Sequence, residues 1–263
     1  MVMNFNCDSS GFCMEHAKLL SECAKIAYRP ELDAVKALKG LGFECCEVIE
    51  QNDVSCILAA ACDFVVVAFR GTDPSRIKNI LTDMDVLQDD DVLGKVHAGF
   101  FNGLKQVEKD LFKALYGYFS QGKKLWITGH SLGGALAALF AGHIAWQGYE
   151  VCGVYTYGQP RVGSKGFKNY YESLLEGRHF RFVNSNDVVT RLPLRRFKKL
   201  VYKHVGKMVY IKSNENIVFS PPFWLVLADR IKGRIKGALS GCFRVGMADH
   251  GVDNYCRAIG KIE

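Results

Sequence analysis

Short runs of consecutive apolar residues alternate along the chain with segments whose apolar residues recur at helical spacing. The run in DFVVVAFRG, rich in β-branched residues, is typical of a strand buried on both faces. The pattern predicts helices over 14–28, 101–119, 131–148 and 165–176, and strands over 42–51, 54–62, 63–71, 123–129, 151–158, 178–184 and 208–213. Strands that alternate with apolar helices indicate an α/β fold with a largely parallel sheet. We expect residues 1–263 to form one such domain.

The composition places the chain among packed globular proteins. Of its 263 residues, 49% are hydrophobic and 23% are charged, which excludes a disordered chain, a collagen and a coiled coil. The first residues, MVMNFNCDSSGFCMEH, lack the basic region and apolar core of a secretory signal. No stretch approaches the ~20 apolar residues of a membrane span. From these features we expect a cytoplasmic protein with, at most, peripheral contact with a membrane.

The ten cysteines include no CxxC pair, and several lie in predicted strands. We interpret them as reduced thiols, most of them buried. A metal site at Cys7, Cys13, His16 and Cys23 is the alternative, but that spacing matches no common zinc pattern. We therefore expect no metal and no organic cofactor.

The formal net charge of +7 is concentrated in residues 191–236, which hold twelve basic residues and two acidic ones, Glu215 and Asp229. This segment is either a solvated surface, with Asp229 among its exposed charges, or a surface that meets anionic lipid headgroups. Within it, PPFWLVLADRIKGRIKGALSGCF combines an apolar start, a Trp and spaced basic residues, which suits an interfacial helix weakened by internal glycines. No nucleic-acid-binding motif accompanies the charge, so we expect no nucleic-acid partner.

The sequence Gly129-His130-Ser131-Leu132-Gly133 has the form G-x-S-x-G. By itself the motif is weak, but here it directly follows a predicted buried strand and directly precedes a long apolar helix. A nucleophile elbow requires that arrangement, because a tight turn then exposes the serine hydroxyl at the C-terminal edge of the sheet. The alternative is an ordinary serine at a helix N-terminus. We take Ser131 as the candidate nucleophile.

A serine nucleophile needs a base, and in elbow-type hydrolases the acid and then the histidine follow it in the chain. The candidates after Ser131 are Asp187, Asp229, Asp249 and Asp253 for the acid, and His143, His179, His204 and His250 for the base. Asp187 follows a predicted strand at its C-terminal end, where ligands collect. His143 lies on the apolar helix and His204 leads into a strand. These positions favour a structural role for both histidines. Order and loop placement favour His250.

A second donor for a developing oxyanion is expected from the loop after an earlier buried strand. The strand over 63–71 ends in Arg70-Gly71-Thr72, and Gly71 allows the backbone to turn sharply. The backbone N–H groups of Thr72 and Leu132 are the candidate oxyanion donors. A plain turn at Gly71 is the alternative.

Seven ordered blocks resemble the class 3 lipases, the fungal-type lipases of the α/β-hydrolase fold. The blocks are VVVAFRGT, KVHAGFFNG, ITGHSLGGALAAL, TYGQPRVGSKGF, RFVNSNDVVTRLP, YKHVGKMVYIKS and DHGVDNY. The resemblance implies Ser131 as nucleophile, Asp187 as acid, His250 as base and Thr72 and Leu132 as oxyanion donors. It also implies a helical lid over 73–87, for which a fixed surface helix is the alternative. Residues 213–248 contain no recognisable family block and form a basic, apolar insertion.

These features predict a serine ester hydrolase that cleaves lipid esters in the manner of a triacylglycerol lipase. One alternative is a phospholipase A1 of the same fold, weakly supported by the basic segment. The other is a catalytically silent, lipase-like binding module, which has no need of an intact catalytic set.

Overall fold

The computed structural model describes residues 5–9, 11–72, 88–197, 200–239 and 245–261. Its helices are α1 Met14–Ile26, α2 Glu31–Leu41, α3 Ala98–Ser120, α4 Leu132–Trp146, α5 Lys165–Leu174, α6 Phe223–Leu239, α7 Val245–Ala248 and α8 Val252–Gly260. Its strands are β1 Cys45–Gln51, β2 Val54–Ala60, β3 Phe64–Phe69, β4 Gln88–Asp91, β5 Gly94–His97, β6 Lys124–His130, β7 Val151–Tyr157, β8 His179–Asn184, β9 Arg196–Phe197, β10 Leu200–Val201, β11 Lys207–Ile211 and β12 Ile217–Phe219.

The centre of the fold is an eight-stranded sheet with the order β1-β2-β3-β6-β7-β8-β11-β12. Strands β3, β6, β7, β8 and β11 run parallel to one another, and the antiparallel pairs lie at the two edges. Each strand of the parallel part was predicted from its apolar run, so the expected α/β architecture is confirmed. The parallel strands bring their C-terminal ends to one edge of the sheet.

Helices cover both faces of the sheet, and β3 illustrates how its side chains divide between them. Val65, Val67 and Phe69 join the core that contains α3 and α4. Val66 and Ala68 join the second core, on the other face, which contains α1, α2 and α8. Since successive side chains of a strand point to opposite faces, a strand between two helical layers must be apolar at every position.

Several elements were not predicted: helices α2, α7 and α8, strand β12, and the hairpins β4–β5 and β9–β10. Helix α2 follows directly after Pro30 and ends at Gly42, which has a φ of 105°. The hairpin of β4 and β5 is too polar for an apolar pattern to reveal, because β4 reads QDDD. Residues 73–87, where the resemblance implies a lid, lie outside the described residues.

The interpretation of Asp229 as a solvated charge is wrong. Asp229 lies on α6 and is only 6% exposed. Its carboxylate accepts hydrogen bonds from the Tyr210 hydroxyl at 2.9 Å and from the Ser213 hydroxyl at 2.8 Å, and a further one from the Ser213 backbone N–H. The carboxylate therefore ties α6 to β11 and the turn that follows it.

Within the described part of the chain, no helix is both long and apolar enough to cross a bilayer. Nine of the ten cysteines fall within the described residues, and all nine are free thiols. Cys7, Cys13, His16 and Cys23, weighed above as an alternative metal set, do not come together: the described residues contain no group of three or more His, Cys, Asp or Glu side chains that could hold a metal ion.

His143 packs in the core, as expected, but it is also ionically paired. Its Nε2 lies 2.6 Å from Asp91 Oδ2, and its Nδ1 contacts Glu108 Oε1. Burial disfavours the charged ring, but the hydrogen bonds to Asp91 and Glu108 outweigh burial and raise the pKa of His143 to about 9. A protonated His143 thus joins α4 to α3 and to the β4–β5 hairpin.

The raised pKa of His143 predicts a pH-dependent stability. The ordinary pKa is about 6.5, so protonation of His143 stabilises the folded state fully below that pH and progressively less as the pH rises through about 9. The difference in unfolding free energy between the wild type and His143→Gln should fall by about 2 kcal/mol between about pH 7.5 and about pH 9.5. Urea unfolding at the two pH values measures it.

His179 provides the matched control for this experiment. It is also buried, but burial lowers its pKa to about 3, so it is neutral throughout that pH window. The corresponding difference for His179→Gln should therefore be flat between the two pH values. A flat difference for His143→Gln as well would contradict the ionic role of His143.

Candidate active site

Ser131 occupies a sharp turn between β6 and α4, as predicted. Its φ of 58° and ψ of −127° are a conformation that residues with a side chain rarely adopt. A Cβ at Gly129 would lie 2.3 Å from the carbonyl oxygen of Gly133, and one at Gly133 would lie 2.2 Å from that of Phe69. Both glycines are therefore required for the strand and the helix to approach this closely.

The structure brings His250 to Ser131 and Asp187 to His250. His250 lies in the turn between α7 and α8, and its Nε2 is 2.8 Å from the hydroxyl oxygen of Ser131. Its Nδ1 is 2.9 Å from Asp187 Oδ2. All three residues are almost fully buried, with 3%, 2% and 0% exposure for Ser131, His250 and Asp187. Residues far apart in the chain thus form one continuous hydrogen-bonded series.

Asp187 is fixed by donors to both of its carboxylate oxygens. It follows β8 in the turn NSND, and the backbone N–H of Val189 donates to its Oδ1 at 2.8 Å. The hydroxyl of Tyr255, from α8, donates to Oδ2 at 2.6 Å and accepts the N–H of Asn184 at 3.0 Å. The contact of Tyr255 with Asp187 was not predicted from the sequence. Its place in the block DHGVDNY could have indicated a role in the site, whereas a tyrosine by itself does not.

A glycine makes room for the imidazole. Gly158, directly after β7, has a φ of 65°, and a Cβ there would lie 2.9 Å from Cε1 of His250 and 3.0 Å from Oδ2 of Asp187. Any side chain at this position would therefore both strain the backbone and displace the pair.

His130 supports the loop that carries His250. Its Nε2 lies 2.6 Å from the backbone oxygen of His250, so Nε2 donates, and Nδ1 accepts from the Tyr28 hydroxyl at 2.7 Å. Burial and the nearby His250 hold the pKa of His130 well below its ordinary value. The neutral ring thus links the elbow, the segment after α1 and the His250 turn. His130 precedes Ser131 in the chain and was therefore not a candidate base, so this supporting role was not predicted from the sequence.

His204, the histidine that was not favoured as the base, is not part of this hydrogen-bonded series. It follows Lys203, which bridges to Gly163, and precedes β11. Removal of its ring from water, followed by the charges of Arg181 and Arg161, holds its pKa well below the ordinary value. A neutral, structural His204 agrees with the sequence-based expectation.

The two candidate oxyanion donors lie on either side of the elbow. Leu132 is the first residue of α4, whose N-terminal amides have no partner within the helix. Gly71 passes directly against the other side, since a Cβ there would lie 2.5 Å from the carbonyl oxygen of His130. Thr72 follows Gly71, so its backbone enters the same region.

The family model described as lipase (class 3) matches residues 66–197, half of this chain. The chain therefore belongs to the class 3 lipase family, and its sheet and flanking helices form the predicted α/β-hydrolase fold. A solved triacylglycerol lipase whose catalytic centre is formed by a serine protease triad has a TM-score of 0.63 and 26% identity, covering 78% of this chain and 83% of that one.

Two curated relatives extend the comparison. The secreted mono- and diacylglycerol lipase A of Penicillium cyclopium is 33% identical over 161 residues, which are 59% of this chain and 50% of that protein. Triacylglycerol lipase OBL1 of Nicotiana tabacum is 39% identical over 114 residues, which are 38% of this chain and 20% of that protein. This chain spans about half of the Penicillium protein.

The expectation of a cytoplasmic location is wrong by this comparison. The relatives from Penicillium cyclopium and Penicillium camembertii are named as secreted lipases, which contradicts that expectation. The expectation rested on the composition of the first residues and on the lack of a long apolar stretch, and neither feature determines location.

The contact between Tyr255 and Asp187 predicts a stability difference between two tyrosine variants. Tyr255→Phe removes the hydrogen bond to the buried carboxylate of Asp187 and also the acceptor of the Asn184 N–H, which together cost about 3 kcal/mol of unfolding free energy. Tyr157→Phe, the control, removes the bond from an equally buried hydroxyl to the neutral backbone oxygen of Ala17, at about 1 kcal/mol. Equal losses in urea unfolding would contradict the role assigned to Tyr255.

Proposed function

We propose that this protein is a serine ester hydrolase that cleaves carboxylic esters of glycerolipids. The observation that carries the proposal is the series Ser131 Oγ, His250 Nε2 and Nδ1, Asp187 Oδ2, with separations of 2.8 and 2.9 Å. The names of the relatives, which describe mono-, di- and triacylglycerol lipases, support the substrate class. We also propose that residues 1–263 act as one catalytic domain.

In the first half of the reaction, His250 Nε2 takes the proton of Ser131 as Oγ attacks the ester carbonyl carbon. The carbonyl oxygen becomes an oxyanion, which the N–H groups of Thr72 and Leu132 stabilise, each by ~3 kcal/mol. Asp187 holds the Nδ1–H and stabilises the imidazolium. When the tetrahedral intermediate collapses, His250 gives its proton to the leaving glycerol oxygen, and an acyl-enzyme remains on Ser131.

In the second half, a water molecule replaces the alcohol. His250 takes a proton from the water as its oxygen attacks the acyl carbon, and the same N–H groups stabilise the new oxyanion. Collapse returns the proton to Ser131 Oγ and releases the fatty acid. The reaction uses no metal and no organic cofactor.

Cleavage of phospholipids, as by a phospholipase A1, is the second candidate. The observation that favours it is the position of Arg191, whose Nη2 donates to the backbone oxygen of Asn186 at 3.3 Å, one residue before Asp187. A guanidinium beside the acid-bearing turn suits a phosphate headgroup.

The choice of base predicts different effects for two histidine variants. His250→Ala should lower kcat on a diacylglycerol emulsion by at least about a thousandfold, because it removes the group that accepts the Ser131 proton. His204→Ala, the control, should leave most of the activity in folded protein. Initial rates on diacylglycerol and on phosphatidylglycerol, with thermal unfolding to verify folding, measure both. The reverse order of effects would reject His250 as the base, and faster cleavage of phosphatidylglycerol would favour the second candidate.

A further inference from the structure

Helix α6 is attached to the sheet by polar contacts and close backbone approach more than by a broad apolar face. Val226 packs with Val183 and Tyr210 in a small apolar cluster, with Met208 and Leu225 at its margin. One turn on, the carboxylate of Asp229 accepts the hydrogen bonds from β11 and Ser213 described above. A Cβ at Gly233 would lie 2.4 Å from the side-chain nitrogen of Asn186. Positions 226, 229 and 233 thus define the inward side of the helix.

The opposite side of α6 is apolar and exposed. At about 100° per residue, the outward stripe lies away from the inward positions. Its side chains are 47–78% exposed: Phe223, Trp224, Leu227, Ile231 and Ile235. A surface helix normally buries its apolar side and exposes its charged side to water. In α6 this arrangement is reversed, because the apolar stripe is exposed and the carboxylate of Asp229 is buried. Contiguous exposed apolar side chains of this kind mark a surface that another molecule covers.

Basic residues lie beside and within the outward stripe. Lys232 and Arg234 are exposed; by helical geometry Lys232 lies beside the stripe, and Arg234 lies between the directions of Phe223 and Leu227. Among the described residues, no carboxylate forms an ion pair with either of them. Burial and then the charges of Arg230 and Arg234 lower the pKa of Arg191, so the positive field extends from the helix to the acid-bearing turn.

The helix also lies beside the candidate active site. Arg230 Nε donates to the backbone oxygen of Ser185 at 3.1 Å, and Gly233 contacts Asn186. Ser185 and Asn186 immediately precede Asp187. A surface that covered the outward stripe would therefore meet the protein next to the edge of the sheet where Ser131 lies.

We propose that the outward stripe of α6 docks on a lipid surface that carries anionic headgroups. The apolar side chains enter the boundary between headgroups and acyl chains, and Lys232 and Arg234 contact the negative charge. A second copy of this chain is the less favourable occupant, because a symmetric contact would bring like charges together. The inference deepens the proposed function by naming the surface at which the esterase works.

Vesicle co-sedimentation tests the proposal on the full chain carrying Ser131→Ala, which prevents hydrolysis of the lipid. Binding to vesicles of phosphatidylcholine with about 30% phosphatidylglycerol should weaken about tenfold or more with Leu227→Ser/Ile231→Ser, and similarly with Lys232→Glu/Arg234→Glu. The control, Lys36→Glu/Lys39→Glu, alters two exposed lysines of α2 beside β1, at the other edge of the sheet. It should leave binding unchanged, and binding by the parent should weaken at high salt.

Two exposed tryptophans supply an independent readout. Trp224 lies in the outward stripe and is 68% exposed, whereas Trp146 lies on α4 and is 48% exposed. Addition of the anionic vesicles should shift the emission of the parent chain to shorter wavelength. The shift should disappear in Trp224→Phe and persist in Trp146→Phe.

Several results would overturn the proposal. These are equal binding to pure phosphatidylcholine, unchanged binding by both α6 variants, a fluorescence shift that survives Trp224→Phe, or a dimer in analytical ultracentrifugation that the stripe substitutions dissociate. Failure of the proposed function remains distinguishable. Vesicle binding needs no catalysis, and hydrolysis of a soluble butyrate ester by α6 variants that retain Ser131 needs no docking.

Discussion

The turn at Ser131 is the constraint on which the rest of the site depends. A residue with a side chain is held at a φ of 58° between a buried strand and a buried helix. This strain persists because the packing around it leaves no alternative: Gly129 contacts Gly133, and Gly133 contacts the end of β3. The same close packing sets the N-terminus of α4 next to the segment of Gly71 and Thr72. One local conformation therefore positions Ser131, the proposed nucleophile, and both candidate oxyanion donors.

Asp187 and the turn that carries His250 are held in place by buried polar contacts. Tyr255 holds Asp187, and the neutral His130 holds the backbone of the His250 turn. Each contact joins an element of the sheet edge to a segment that arrives from another part of the chain. In a site this buried, unpaired polar groups would be costly, so the supporting residues stabilise the fold and fix the orientation of the imidazole together.

Most of the fold and the central residues of the candidate site could be predicted from the sequence. Buried parallel strands must be apolar on both faces, so DFVVVAFRG and KKLWITG were visible as strands, and the elbow followed from its place between strand and helix. Chain order and loop position then selected Asp187 and His250. Each of these inferences depends on local pattern or on order along the chain, and the structure brings the three side chains into one hydrogen-bonded series.

What the sequence did not reveal depends on contacts between distant segments. Asp229 lies among basic residues in the chain, but its neighbours in space are Tyr210 and Ser213. Residue type does not distinguish Tyr255 or His130 from other tyrosines and histidines of the chain. Their roles arise from packing across the sheet edge. The polar strand β4 is specified by its hairpin partner rather than by an apolar run. The cytoplasmic location was wrongly predicted for another reason. The prediction used composition, whereas the finding that contradicts it is the similarity to lipases named as secreted.

The central claim is that Ser131 is a nucleophile activated by His250. Reaction of the protein with a fluorophosphonate probe, followed by intact-mass measurement and peptide mapping, tests it most directly. The account predicts a single adduct on Ser131, absent in Ser131→Ala and formed far more slowly in His250→Ala. An unmodified Ser131, as in a catalytically silent module, or an adduct on another residue would contradict it.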